Sequence, residues 1–297
     1  NMAGLEEIRL PKLIGDRLVI RYAETLDKDG NFYTENLRTA RCTDTFVYGE
    51  KQVGMLVMPH FTFHGFRYIC VEGAGTETEA SDFTACAMHT DMQPTGTFTS
   101  DNTLVNQLQS NIQWGQRGNF LDVPTDCPQR DERLGWTGDA QIFSGTACFN
   151  TDTYAFYTKY GYDVYAEQKK LNGSVPDIVP FTNYQGDGTT AWGEAATIIP
   201  WNVYLHYGDK EILVRQYDSM KAWVEYMHGE DKKYGDKHLW QSGFHYGDWL
   251  ALDGNVVGGV YGATDPFLIS SGYYYYSTNI LAKTAEILEK EEDAAFY

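Results

Sequence analysis

The apolar residues in the first part of the chain follow the short runs and two-residue alternation that are typical of β-strands. The segments with this pattern are 18–25, 45–48, 66–71 and 84–88. Asp27-Lys-Asp-Gly30 supplies turn residues after the first of them. Antiparallel strands at this spacing predict a β-sandwich portion over residues 1–95, which we expect to be incomplete on its N-terminal side.

Beyond residue 100 the apolar period lengthens to that of amphipathic helices. Ser100 and Asp101 are predicted to cap a helix whose apolar stripe carries Leu104, Leu108 and Ile112. Five more helices with apolar stripes are predicted near 137–149, 152–171, 191–207, 210–229 and 264–290.

The ends of these helices carry capping residues and glycines. Thr151-Asp152 is predicted to cap the third helix, and glycines are predicted at three ends: Gly173, Gly208 and Gly229. Two connections are long, at 172–190 and 230–263. Long loops inside compact domains usually serve function, so both are candidates for part of a site.

The segment Asp122–Asp139 concentrates reactive side chains. Its eighteen residues hold two arginines, one tryptophan and five carboxylates: Asp122, Asp126, Asp131, Glu132 and Asp139. Carboxylates perform acid/base chemistry, and an indole face suits the apolar side of a sugar ring. The alternative is a solvated acidic loop with a helix cap at Thr137, because clustered charge usually lies on the surface.

Pairs of a carboxylate and an indole precede or open every second predicted helix. The pairs are Trp136 with Asp139, Trp192 with Glu194, and Asp248 with Trp249. In an array of antiparallel helix pairs, the N-termini of alternate helices lie at the same end. We therefore expect the three pairs to converge on one rim, the alternative being three helix caps and three core tryptophans.

Composition narrows the possible functions. The chain has 297 residues, enough for roughly two domains, and 42% of them are hydrophobic. Its net charge of -18 argues against nucleic acid or an anionic membrane as a partner. No apolar run approaches the ~20 residues of a membrane span. The 15% aromatic content is typical either of a carbohydrate-binding cleft or of a core packed with rings.

The five cysteines form no disulfide framework and no zinc motif. They are Cys42, Cys70, Cys86, Cys127 and Cys148, with no Cys-x-x-Cys pair and no cluster with histidines. This pattern favours a reducing, intracellular compartment, or thiols without a structural role. It predicts neither a metal nor a cofactor, although acidic loops leave a structural calcium open.

The segment Asp122–Asp139, followed by Ala140-Gln-Ile-Phe143, resembles the signature of the bacterial α-L-rhamnosidases of glycoside hydrolase family 78. The resemblance extends over nearly the whole chain. The other segments that carry it are Arg21–Gly30, Phe63–Tyr68, Gly173–Asp177, Ala191–Ala195, Gln216–Met220 and Gly243–Leu250.

The resemblance implies a β-domain followed by an (α/α)6 toroid that cleaves terminal non-reducing α-L-rhamnose with inversion. It makes Glu132 the general acid, and it implies no cofactor. The pocket residues that it implies are Asp126, Arg130, Trp136, Asp139, Trp192 and Trp249. We expect these side chains to face one cavity with Glu132. Glu194 stands where the family more often has aspartate.

The residues alone leave the identity of the acid open. Asp131 is adjacent to Glu132 and is the obvious rival, and only the resemblance selects Glu132. An alternative role for Glu132 is a salt bridge to Arg130 or Arg133, which would hold its carboxylate ionised.

Inversion also needs a second carboxylate that activates water on the opposite face of the sugar. No segment that matches the family supplies this base, so residues 100–297 are interpreted as the N-terminal half of the toroid. We expect the chain by itself to be inactive, and its exposed apolar stripes to allow a homodimer. Its expected partners are rhamnose-containing oligosaccharides or glycosides. The alternatives are an inverting toroidal glycosidase for another sugar and a non-catalytic carbohydrate-binding fragment.

Overall fold

The computed structural model describes residues 1–182, 186–254 and 260–297. These residues form two compact units. The first unit contains residues 1–91 and 97–134, and the second contains residues 92–96 and 135–297. The predicted division into domains at 1–95 and 100–297 stays a prediction.

The first unit is built on two antiparallel sheets. In one sheet β1 pairs with β6, β7 and β9, and in the other β2 lies between β5 and β8. The strands are β1 Met2–Arg9, β2 Leu18–Ala23, β3 Thr25–Leu26, β4 Phe32–Tyr33, β5 Thr43–Phe46, β6 Leu56–Val57, β7 His64–Phe66, β8 Tyr68–Glu72, β9 Phe83–Ala87, β10 Phe120–Leu121 and β11 Val123–Pro124.

One core joins the two sheets. Ile8 and Phe66 from the first sheet and Leu18 and Ile20 from the second are buried in the same cluster. This packing confirms the predicted antiparallel sandwich portion. Strand β1 was not predicted, because Glu6 and the residue after it interrupt its apolar pattern. The structure buries Glu6 completely, and the hydroxyl of Tyr22 donates a hydrogen bond of 2.6 Å to its carboxylate.

Helix α1 spans Thr103–Asn119 and belongs to the first unit. The cap predicted at Ser100 and Asp101 is wrong, because the side chain of Asn102 accepts from the backbone N–H of Leu104 at 2.9 Å. The predicted apolar stripe is also misplaced. Leu104 is 78% exposed, and the face that packs on β1 carries Gly118 instead.

The second unit is helical. Its helices are α2 Thr137–Asn150, α3 Tyr154–Gln168, α4 Ala195–Tyr207, α5 Glu211–Lys232, α6 Pro266–Ile287 and α7 Glu291–Phe296. Helix α4 packs between α2 and α6, while α3 and α5 pack on each other and on α4. This alternation is the one that the sequence predicts for helix pairs. It confirms a β portion followed by part of an (α/α)6 toroid.

Several predicted helix ends need correction. Gly208 does end α4 in the left-handed conformation, and Gly173 also has a positive φ. Gly229, however, lies inside α5, because the helix continues to Lys232. The N-cap of α3 is Thr153, and Asp152 supports it by accepting from the N–H of Tyr154 at 3.3 Å.

No helix among the described residues has both the length and the apolar character that crossing a membrane requires. The cysteines are free thiols.

Candidate active site

In the first unit the loop from Asp126 to Leu134 is closed at its two ends. The N–H of Leu134 donates to Oδ1 of Asp126 at 3.1 Å, and the N–H of Asp126 donates to the carbonyl of Leu134 at 3.3 Å. These bonds hold the intervening residues in one compact turn. Three of the predicted site residues, Asp126, Arg130 and Glu132, therefore lie on a single closed loop.

Arg130 lies between the two carboxylates of this loop. Its guanidinium contacts Oε2 of Glu132 through Nε at 2.9 Å and through Nη2 at 2.8 Å, and Nη2 lies 3.5 Å from Oδ2 of Asp126. Burial raises the pKa of Asp126, and the nearby charge of Glu132 adds to that rise. Oδ2 of Asp126 is buried and accepts no well-formed hydrogen bond among the described residues, so the ion pair with Arg130 is its main polar contact there.

A second guanidinium, from Arg38, reaches Glu132. Its Nη1 lies 3.0 Å from Oε2 of Glu132 and 3.9 Å from Oδ1 of Asp131. The sequence does not predict this contact, because Arg38 lies in no motif and is separated from Glu132 by 94 positions. The alternative of a salt bridge between Glu132 and Arg130 is thus present in the structure. Arg133 instead donates to the carbonyl of Phe63 at 2.9 Å.

Asp131, the rival acid, has a different environment. The hydroxyl of Thr39 donates to Oδ2 of Asp131 at 2.5 Å, and the N–H of Thr39 donates at 3.3 Å. The hydroxyl bond is the main cause that lowers the pKa of Asp131. An acid with a lowered pKa is ionised at neutral pH, which argues against proton donation by Asp131.

In the second unit, Trp136 is the residue that precedes helix α2. The segment around it is fixed by backbone bonds to a second segment: the N–H of Thr137 donates to Asp177 at 2.9 Å, and the N–H of Val179 donates to Gly135 at 2.8 Å. Trp136 is 8% exposed. Asp139 is exposed in the first turn of α2, where the helix dipole stabilises a negative charge.

Trp192 packs directly on the first turn of α2. A Cβ built on Gly138 would lie only 2.7 Å from two carbon atoms of the Trp192 indole. The Trp192 indole also packs on the ring of Tyr246, and the two ring centroids are 4.1 Å apart. The N-terminal end of α2, the segment before α4 and the loop after α5 therefore meet at Trp192.

Trp249 continues this contact into an aromatic row, defined here as Trp192, Tyr246, Trp249 and Tyr261. The centroids of Tyr246 and Trp249 are 5.4 Å apart, and those of Trp249 and Tyr261 are 5.6 Å apart. Trp249 is 42% exposed, so its ring is accessible. Oδ2 of Asp248 accepts from the N–H of Thr264 at 3.2 Å, which ties the loop together ahead of α6.

The aromatic row contacts a buried carboxylate, Asp177, which was not among the predicted site residues. The hydroxyl of Tyr246 donates to Oδ2 of Asp177 at 2.9 Å, and Thr189 donates to Oδ1. Burial raises the pKa of Asp177. The preceding residue of the same loop, His245, is also fixed. Nδ1 of His245 accepts from the N–H of Thr190 at 3.1 Å, and burial lowers the pKa of His245. These contacts fix the loop that carries Tyr246.

Glu194 is completely buried at the N-cap of α4. Neither carboxylate oxygen has a well-formed hydrogen bond among the described residues, although the indole of Trp223 and nearby backbone N–H groups approach it. Burial raises the pKa of Glu194 to about 8. We interpret Glu194 as a buried group of the second unit, most of it protonated at neutral pH.

Glu194→Gln should flatten the pH dependence of stability. In the folded state the pKa of Glu194 lies near 8, above the ordinary 4.5. The contribution of Glu194 to stability is therefore fully present below pH 4.5 and is lost as the pH rises through 8, at up to about 1.4 kcal/mol per pH unit. Thermal unfolding at several pH values should show the advantage of the variant growing over this window. The exposed Glu286→Gln is the control, and parallel curves for wild type and Glu194→Gln would contradict the assignment.

The structure thus groups the seven predicted residues in two sets. Asp126, Arg130 and Glu132 are together in the first unit. In the second unit the start of α2, Trp192 and Trp249 are connected through Gly138 and Tyr246. That both sets face one cavity stays a prediction, as do the roles of the individual residues.

One group of potential metal ligands occurs in the described ranges. Asp231, Asp236 and His238 offer atoms that lie within 4.8 Å of one another. Both oxygens of Asp231 already accept backbone N–H groups, from Lys237 at 3.0 Å and from His238 at 2.8 Å. These bonds explain the group as the closure of the turn after α5.

Comparison with known families gives two adjacent matches. Residues 93–297 match the family described as bacterial alpha-L-rhamnosidase 6 hairpin glycosidase domain. Residues 1–89 match the family described as bacterial alpha-L-rhamnosidase concanavalin-like domain. Together the two matches account for nearly all of the chain.

Individual relatives agree with the family matches. The chain is 42% identical to an α-L-rhamnosidase of Formosa agariphila, over 100% of the chain and 31% of that protein. The crystal structure of the α-L-rhamnosidase of Aspergillus terreus superposes with a TM-score of 0.88 at 38% identity, over 100% of this chain and 34% of that one. The structure of the α-L-rhamnosidase of Streptomyces avermitilis, solved in complex with L-rhamnose, superposes with a TM-score of 0.86 at 37% identity. The match covers 97% of this chain and 27% of that one. The chain spans about a third of the length of the curated relatives that it matches.

Proposed function

Because this chain belongs to the bacterial α-L-rhamnosidase family, we propose that it contributes the general acid and part of the sugar pocket of an enzyme that hydrolyses terminal non-reducing α-L-rhamnose from rhamnosides. The observation that carries the proposal is the family match over residues 93–297, which includes the closed loop with Glu132. The indole-rich surface of the second unit supports it.

Glu132 is proposed to donate its proton to the glycosidic oxygen as the bond to the leaving group breaks. In the free protein its Oε2 is held by two guanidinium groups, from Arg38 and Arg130. These contacts fix the position of the carboxyl group.

Asp126 and Arg130 are proposed to bind sugar hydroxyls. Oδ2 of Asp126 accepts no well-formed hydrogen bond among the described residues, and Arg130 offers several N–H donors in a fixed plane. An acceptor next to a donor suits vicinal hydroxyl groups, each of which can both donate and accept. Asp139 is proposed as a further acceptor at the start of α2.

Trp136, Trp192 and Trp249 are proposed to pack on the apolar faces of the sugar. The indole N–H groups of Trp136 and Trp192 are buried and have no acceptor within the described ranges. Buried donors are rarely left without a partner, and a sugar oxygen is one acceptor that could supply it. Trp249 is half exposed, as a platform at the mouth of a pocket would be.

The proposed mechanism inverts the anomeric carbon, as the resemblance implies. Inversion requires a base that activates water on the face opposite Glu132. The proposal assigns this base to no residue of the chain.

The test is hydrolysis by the full-length protein of a panel of aryl glycosides that differ only in the sugar. We expect the α-L-rhamnoside to be cleaved fastest, and proton NMR of the first product to show the β-anomer. Faster cleavage of another glycoside would show that the enzyme acts on a different sugar. An α-anomer as the first product would show that the configuration is retained, which contradicts inversion. Binding of rhamnose without turnover would favour the non-catalytic alternative.

A further inference from the structure

We propose that Arg38, contributed by the β portion of the first unit, is a positioning residue that orients the carboxyl group of Glu132 for proton transfer. The inference rests on the proposed function, in which Glu132 is the acid. It concerns a residue that lies outside the loop Asp126–Leu134, called the acidic loop below, and outside every motif predicted from the sequence. Its basis is the contact of 3.0 Å between Nη1 of Arg38 and Oε2 of Glu132.

The backbone at Arg38 is strained in a way that serves this contact. Arg38 ends a short 3-10 turn, Glu35–Leu37, with φ 56° and ψ -117°. This combination lies outside the regions that residues other than glycine normally adopt, and such residues concentrate at functional sites. Cys42, four residues later, also has a positive φ of 40°. Two strained residues in one short segment indicate that its path is fixed by what it contacts.

The segment 38–42 contacts the acidic loop at three points. Arg38 contacts Glu132, and the hydroxyl of Thr39 donates to Asp131 at 2.5 Å. The thiol of Cys42 donates to the carbonyl of Gln129 at 3.0 Å. The contacts at 129, 131 and 132 fix the loop along its length, so the direction of each side chain is determined.

Strand β7 holds the same loop from another direction. A Cβ added to Gly65 would lie 2.7 Å from Cβ of Gln129 and 2.9 Å from Cγ of Pro128, so only glycine permits this close approach. The guanidinium of Arg133 donates to the carbonyl of Phe63 at 2.9 Å. The β portion therefore supports the acidic loop over most of its residues, and Arg38 is the part of that support that contacts the proposed acid.

The contribution of Arg38 is expected in orientation rather than in stability. Its side chain is 56% exposed, and exposed ion pairs contribute little to the free energy of unfolding. Arg38 and Arg130, which are far apart in the sequence, contact the same oxygen of Glu132, Oε2. Two donors on one oxygen fix the position of that oxygen and so restrict the orientation of the carboxyl group. Among the described residues, the charged side chains that form ion pairs with Glu132 are these two arginines, which also approach Asp131 and Asp126.

The experiment compares Arg38→Ala, Arg38→Lys and Arg41→Ala in the full-length protein. Arg41 is exposed in the same segment, and its side chain makes no hydrogen bond or ion pair among the described residues, so it is a matched control for charge and location. Arg38→Ala should lower kcat for a rhamnoside with a poor leaving group by about 10-fold or more, with little change in KM, since misplacement of an acid by ~1 Å is costly. Arg38→Lys should restore most of the rate, and Arg41→Ala should match wild type.

The leaving group separates positioning from a general structural role. A general acid matters most when the leaving group needs a proton to depart. Arg38→Ala should therefore lose kcat toward a rhamnoside with a poor leaving group, keep most of it toward an aryl rhamnoside whose phenolate departs without a proton, and recover in Arg38→Lys. A merely structural role would lower the melting temperature and reduce kcat for both substrates alike.

The proposal is overturned if Arg38→Ala and Arg41→Ala have the same kcat toward the poor leaving group, or if Arg38→Ala loses kcat equally for both substrates. The Glu132→Gln variant distinguishes this outcome from failure of the proposed function. If Glu132→Gln loses activity toward poor leaving groups while Arg38→Ala does not, Glu132 is the acid and Arg38 does not position it. If Glu132→Gln retains full activity, both proposals are wrong.

Discussion

Glu132→Gln should lower kcat by about 10²- to 10⁴-fold for rhamnosides with poor leaving groups, which is the usual contribution of general acid catalysis. Glutamine has nearly the size of glutamate, and its carbonyl oxygen can still accept from Arg130 and Arg38. The loop that carries residue 132 is closed through Asp126 and Leu134, so the variant should keep its shape. What it loses is the transferable proton. Steady-state kinetics of the full-length protein provides the measurement.

The leaving group provides the control for this prediction. An aryl rhamnoside whose phenolate departs without a proton should lose much less rate in Glu132→Gln than a disaccharide does. Asp131→Asn removes the neighbouring carboxylate and should cost far less, because Asp131 is occupied by Thr39. Equal losses for both substrates would give Glu132 another role. If the rate loss depends on the leaving group in Asp131→Asn but not in Glu132→Gln, then Asp131 is the acid.

Local patterns of the sequence predicted much of the fold. The helical period located α2 to α6, because each helix keeps an apolar face over several turns. Strand β1 escaped prediction because Glu6 is buried in it, and the partner that makes this burial possible, Tyr22, lies on another strand. The sequence does not show in advance which glutamate will find such a partner.

The candidate site divides in the same way. Asp126, Arg130 and Glu132 lie within seven consecutive positions, so one motif contains all three. Arg38 lies 94 residues from Glu132, and their contact depends on the register of the sandwich and on a strained turn. Tyr246 and Tyr261 were missed for another reason. The chain has 22 tyrosines, and nothing local marks the two that extend the tryptophan pairs into a row.

Gly138→Ala should impair both the second unit and its proposed sugar pocket. The added Cβ would lie 2.7 Å from Cδ2 and Cε2 of Trp192, and 2.9 Å from its Nε1. The indole is rigid, and Tyr246 packs on it with a centroid distance of 4.1 Å, so the indole has to leave its position in the row. Overpacking of this kind costs about 1–3 kcal/mol of unfolding free energy. Displacing a sugar platform by ~1 Å should lower kcat/KM on the order of 10²-fold.

Gly145→Ala is the matched control, because it makes the same change in the same helix. Within the described part of the chain, a Cβ at Gly145 would have only Nδ2 of Asn202 within 4 Å, at 3.8 Å, which is ordinary van der Waals contact. Alanine favours a helix interior over glycine by about 1 kcal/mol, so this variant should be slightly more stable and fully active. Melting temperatures and kcat/KM of both variants in the full-length protein make the comparison. If Gly138→Ala behaves like Gly145→Ala, the contact between α2 and Trp192 does not hold the row in place, and the proposed role of Trp192 in sugar binding loses its structural support.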